Sequence, residues 1–136
     1  MIQRYKRPDK KNASSLVQSA KKEMEYTLSL EVNENSTATI VRNVYECFRS
    51  LGDALLILKG FETTDHVAAI KELINLTVRT KRPLGILDNL RILRHNINYY
   101  GYRPKIEETI EIIDFVKDCF NPILKEVEIQ VNNSKH

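Results

Sequence analysis

The chain has 136 residues, 42% of them hydrophobic and 29% charged, with four Gly and four Pro, which suits one core of ordinary size and excludes two comfortable domains or a disordered chain. Its formal net charge of +3 is too small for charge alone to mark a nucleic-acid binder. No apolar run approaches the roughly 18 residues of a membrane span, the stretch after Met1 lacks a signal-peptide core, and two cysteines cannot assemble a four-ligand zinc site; the expectation is a cytoplasmic protein with no membrane contact, metal or cofactor.

Residues 1–12 hold the densest basic cluster, Arg4, Lys6, Arg7, Lys10 and Lys11. It reads as a solvated, flexible tail, with an RNA-contacting arm as the alternative. A first helix is expected from Ala13 to Val32, where Leu16, Ala20, Met24 and Leu28 recur at helical spacing. Asn33 to Thr37 interrupts it, and Ser36 or Thr37 can cap a second helix that runs to Lys59 and stops at Gly60. Along that helix Ile40, Val44, Cys47, Leu51, Leu55 and Leu58 define a core face. Arg42, Glu46, Arg49 and Asp53 line the opposite side, as solvated ion pairs or as the wall of a groove. Cys47 and Cys119 both fall on apolar faces and are expected to be buried, reduced thiols.

Asp65 can cap a third helix carrying Val67, Ile70 and Ile74, and Lys81-Arg82-Pro83 with Gly85 marks the next connection. The fourth helix presents Ile86, Leu90, Leu93, Ile97 and Tyr100 as its apolar face, until Gly101 and Pro104 interrupt it. Pro104 suits the opening of a fifth helix, with Glu107, Glu108 and Glu111 near the positive end of its dipole. Ile106, Ile110, Ile113, Phe120, Leu124 and Val127 are its expected contacts, Pro122 is expected to bend or divide it, and residues 132–136 look frayed. With no internal repeat and no alternating strand pattern, residues 13–131 read as one all-α domain, an antiparallel bundle of four or five helices.

Chemistry is sparse elsewhere. The chain has no Walker-type phosphate loop, dinucleotide glycine pattern, Gly-x-Ser-x-Gly elbow or His-Glu-x-x-His helix. His66, His95 and His136 are its only histidines. Between Leu90 and Pro104, however, Arg91, Arg94, His95 and Asn98 fall within about a quarter-turn at 100° per residue. Such a face can hold a phosphodiester through arginine, or set a ribose hydroxyl beside His95; the alternative is an ordinary solvated face. Tyr99, Tyr100 and Tyr102 stand beside it and can stack bases, although Tyr100 also fits the core.

At these residues the chain resembles the HEPN family, small helical bundles of prokaryotic toxin–antitoxin modules and of domains attached to nucleotidyltransferases. The likeness spans roughly Ala13 to Val127. It rests on helix order, on Ala54-Leu-Leu-Ile-Leu-Lys-Gly60, on Asp65-His66, and on Leu93-Arg-His-Asn followed by Tyr100-Gly-Tyr102. Nucleases of that family cut RNA without a metal, using an Arg followed after four to six residues by His, often with a Tyr two positions later, and their dyads meet across a homodimer. Arg94 matches the Arg and Tyr102 the later Tyr, but Tyr100 stands where His is expected. A phenol with a pKa near 10 cannot replace imidazole as a proton shuttle at neutral pH.

The resemblance therefore implies, first, a non-catalytic module that dimerises and binds a nucleotide, RNA or a minimal nucleotidyltransferase partner, with Arg91, Arg94, Asn98 and Tyr102 as its contact surface. Tyr102 is then the candidate for adenylylation, and His66 a structural hydrogen-bonding residue. The second reading is a divergent metal-independent endoribonuclease in which Arg94 orients the phosphate and His95 or Tyr102 handles the proton. The third is a plain oligomeric helical scaffold.

Overall fold

The computed structural model describes residues 3–5, 7–63 and 65–134, leaving aside the side chains of residues 3–5, 62, 63 and 66. In chain order they form β1 (Gln3–Tyr5), α1 (Lys10–Leu28), α2 (Thr37–Leu58), β2 (Phe61–Thr63), α3 (His66–Ile74), α4 (Ile86–Tyr100) and α5 (Ile106–Asn133). The five helices are those the apolar periodicity predicts. The two strands are not: three residues each, they pair antiparallel with Gln3 opposite Thr63 and Tyr5 opposite Phe61. Ladders this short leave no period-2 pattern to read. Of the basic cluster, the Arg4 side chain and Lys6 lie outside the described residues, while Lys10 and Lys11 already belong to α1.

Helix α2 is the axis of the bundle, packing on α1, α3, α4 and α5. A helix that meets four others needs more than one apolar stripe. Beside the expected series, Val41, Tyr45, Phe48 and Gly52 form a second one at i+4, i+3, i+4 spacing, and all four are buried. Phe48 carries the aromatic part of the core, its ring 5.8 Å from that of Phe115 and 5.5 Å from that of Phe120. Burial of side chains of this size is worth about 1.5–3 kcal/mol each before entropy is set against it. Cys47 and Cys119 are buried free thiols.

The helix ends follow local chemistry. The Asp9 carboxylate accepts from the Asn12 amide at 3.0 Å, which starts α1 at Lys10 instead of Ala13. Ser36 precedes α2 without capping it, since its hydroxyl donates to the Glu31 carbonyl at 2.7 Å and accepts from the Asn33 amide at 2.9 Å. Asp65 does cap α3, accepting from the Val67 amide at 2.9 Å. Gly101, with φ of 64°, closes α4 in the left-handed conformation, and the Tyr102 amide donates back to the Asn96 carbonyl at 3.1 Å. Glu108 accepts from the Lys105 amide at 3.1 Å at the start of α5.

Three expectations are corrected. Pro122 does not divide α5, which runs unbroken to Asn133. Ile110 is 45% exposed and Tyr100 76% exposed, so neither belongs to the core. On α5 the inward positions are instead Phe115, Val116, Cys119, Ile123 and Val131 beside Phe120, Leu124 and Val127. On α4, Leu87 is fully buried and joins the core stripe, which the expected apolar face left out. The crossing of α2 and α3 is close: a methyl group at Gly52 would lie 2.1 Å from the Ala69 carbonyl oxygen. Only glycine permits that approach. It sets the start of α3, and hence Asp65, close to α4.

Candidate functional site

Helix α4 turns Leu87, Leu90 and Ile97 into the core. Arg94 lies directly beside that stripe, so it is drawn inward instead of pointing to solvent. Its side chain is 20% exposed, its guanidinium sits 5.4 Å from the centre of the Tyr45 ring, and Nη2 is 3.3 Å from Glu46 Oε1. Its Nε is buried without a hydrogen-bond partner. Glu46 is shared, since Arg49 Nη1 stands 3.5 Å from its other oxygen, and Arg49 Nε is 3.6 Å from Asp53. The row Asp53, Arg49, Glu46, Arg94 thus carries alternating charge from the middle of α2 onto α4. Of the polar stripe read on α2, Arg42 is solvent-exposed and Glu46 reaches the site.

Arg94 opens into a shallow hollow lined also by Arg91, His95 and Tyr99 of α4, Tyr45 of α2, and Asp65 and Val67 at the start of α3. Arg91 Nε is held 2.9 Å from Asp88 one turn back. The His95 ring lies 4.6 Å from that of Tyr99 at 37°, and 5.8 Å from that of Tyr100 at 68°, near edge-on. Tyr99 is 68% exposed. The rim is therefore aromatic and wet, the floor cationic and partly neutralised.

Burial pushes the Tyr45 phenol upward despite the nearby arginines, so it stays neutral. Burial also raises Asp53, with Arg49 acting against it. Both thiols are raised, chiefly by burial; Cys47 is pushed up to about 12 and stays a thiol.

Of the residues the sequence singles out, Arg91, Arg94 and His95 meet in one hollow, although neighbouring positions on a helix point 100° apart. Asn98 is exposed and does not line it. Tyr102 belongs to a different place: its hydroxyl donates to Glu108 Oε1 at 2.7 Å, and that bond, with the charge of Glu108, raises the phenol. The His66 side chain and His136 lie outside the described residues. Tyr45, Glu46 and Asp65 escape a reading of α4 alone; the second stripe on α2 is the signal that could have drawn attention to Tyr45. Among the described residues no group of three His, Cys, Asp or Glu side chains could hold a metal ion, and no helix is long and apolar enough to cross a membrane. No family model, curated protein or solved structure matches the chain.

Proposed function

We propose that the chain is a HEPN-like helical module that binds a nucleotide or RNA at the α4 hollow, and that it works as a non-catalytic homodimer beside a minimal nucleotidyltransferase in a toxin–antitoxin-type system. The observation that carries the ligand class is the convergence of Arg91, Arg94, His95 and Tyr99 on one concavity. A phosphate fits a guanidinium already oriented by Glu46 and Tyr45, and a base can stack on the exposed Tyr99 ring.

The test is titration of fluorescently labelled single-stranded RNA and of a labelled ATP analogue, read by anisotropy. Wild type should bind with salt-dependent affinity, and Arg94→Ala should weaken binding about tenfold or more, since a hydrogen bond to a charged group contributes about 1.5–3 kcal/mol. Absence of binding to both probes removes the reading.

The shared hollow of Arg94 and His95 also supports the second reading, a divergent metal-independent endoribonuclease. There Arg94 orients the scissile phosphate and His95 takes the proton of the attacking 2′-hydroxyl, while the bond to the 5′-oxygen breaks, that oxygen takes a proton from water, and a 2′,3′-cyclic phosphate is left. Cleavage in EDTA that disappears in both Arg94→Ala and His95→Ala favours it; intact RNA with wild type excludes it. Tyr102 remains the candidate for adenylylation. Its oxygen would attack the α-phosphorus of ATP, pyrophosphate would leave, and Glu108 stands at 2.7 Å to receive the phenolic proton. Incubation with ATP and the transferase should add one adenylyl mass to wild type and none to Tyr102→Phe.

A further inference from the structure

On the flank of α4 away from the hollow, a second groove runs between α4 and the first turns of α5. Ile86, Ile92 and Leu93 form one wall, and Glu108, Glu111 and Ile112 the other. Ile86 and Leu93 recur at helical spacing through Leu90, as Glu108 does with Glu111 and Ile112, and α4 finds its main packing on α2 and α3, which leaves this side uncovered. Ile92 is 46% exposed. Two apolar ridges of this kind form a seat for a third helix.

Charge selects the occupant. Both ionisable side chains lining the groove are carboxylates. Glu111 is 73% exposed and stands 3.6 Å from Arg82, which is held more closely by Asp118 at 3.0 Å. Glu108 accepts from Tyr102 and from the Lys105 amide, and both bonds leave its negative charge in place. An isologous contact with a second copy would lay groove on groove and gather Glu108 and Glu111 of both chains in one interface, which like-charge repulsion opposes.

We infer that this groove is a docking site for an amphipathic helix of a different protein, with an apolar face flanked by lysine or arginine. The inference stands apart from the reading of the cationic hollow, and a homodimer would use another surface of the chain.

The experiment uses two labelled synthetic helical peptides that share a leucine face, one flanked by lysines and the other by glutamates, titrated onto the full chain and read by anisotropy. The lysine peptide should bind about tenfold more tightly, a difference of about 1.4 kcal/mol. Glu111→Lys should narrow that ratio, and Ile92→Asp should abolish binding while the thermal melt followed by circular dichroism stays in place. Equal affinity for the two peptides, binding of neither, or an Ile92→Asp variant that binds as wild type does would overturn the proposal. So would sedimentation showing that Ile92→Asp dissociates a self-associated form, since the occupant would then be a second copy.

Discussion

The two flanks of helix α4 differ in how completely the chain furnishes them. One is built inward: Arg94 is held by a ring and a carboxylate of α2, and Asp65 is brought alongside by α3. The other is left apolar and open, with Ile92 facing solvent. A cation near a core needs fixed partners because desolvation makes a loose one costly. An apolar ridge needs none until another surface covers it. The first flank therefore depends on tertiary geometry that the second does not share, and substitutions should separate them.

The largest effect is expected at Gly52. Its replacement by Ala drives a methyl group into the Ala69 carbonyl and should cost about 3 kcal/mol, the upper range for overpacking, measured by urea unfolding. Because the same crossing positions Asp65, RNA or nucleotide binding at the hollow should fall with it in whatever protein remains folded. A Gly52→Ala variant as stable as wild type would show that α3 is not fixed by this contact.

Arg94→Ala should cost about 1 kcal/mol, from loss of the contact over Tyr45 and of a half-exposed ion pair, again by urea unfolding. Glu46→Gln keeps the shape and removes the charge. It should lower stability by less than Arg94→Ala does and weaken ligand binding while leaving peptide binding at the groove unchanged. Loss of both activities together would break the separation of the two flanks.

Asp53 provides a smaller, pH-dependent effect. Burial raises its carboxyl above the ordinary value, so the folded chain holds that proton more tightly than the unfolded one. The resulting destabilisation is absent below about pH 3.9 and grows as pH rises through the folded value. Asp53→Asn should therefore flatten the decline in stability that sets in above about pH 3.9, followed by thermal melts from that pH upward. At the far end, Ile92→Asp should change stability by no more than about 0.5 kcal/mol.

Helix order was legible because apolar periodicity is a local property, and Asp65, Gly60 and Gly101 mark their helix ends in the sequence itself. The face of α4 was only half legible. Arg91, Arg94 and His95 could be grouped by angle, but angle alone did not reveal that Arg94 borders the core stripe and turns inward, or that Asn98 stays outside. Glu46 looked like a surface charge because its partner lies 48 positions away in the chain. Tyr102 was grouped with the arginines by proximity in sequence, whereas the left-handed turn at Gly101 separates them and delivers it to Glu108. Tyr100 kept the helical spacing of a core residue at the last turn of α4, past the point where a neighbouring helix covers it.

One contact at the base of the bundle reaches further than its strength suggests. The Lys10 ammonium donates to the carbonyls of Asn132 and Ser134, at 3.4 and 3.3 Å, so the first residue of α1 sits against the last turn of α5. It complements the negative end of the α5 dipole, and it also makes the five-helix body nearly a closed ring in connectivity. A permuted chain that joins residue 134 to residue 10 by a short linker and opens between Asn75 and Gly85, where no helix runs, would keep every helix whole and have only a short loop to close.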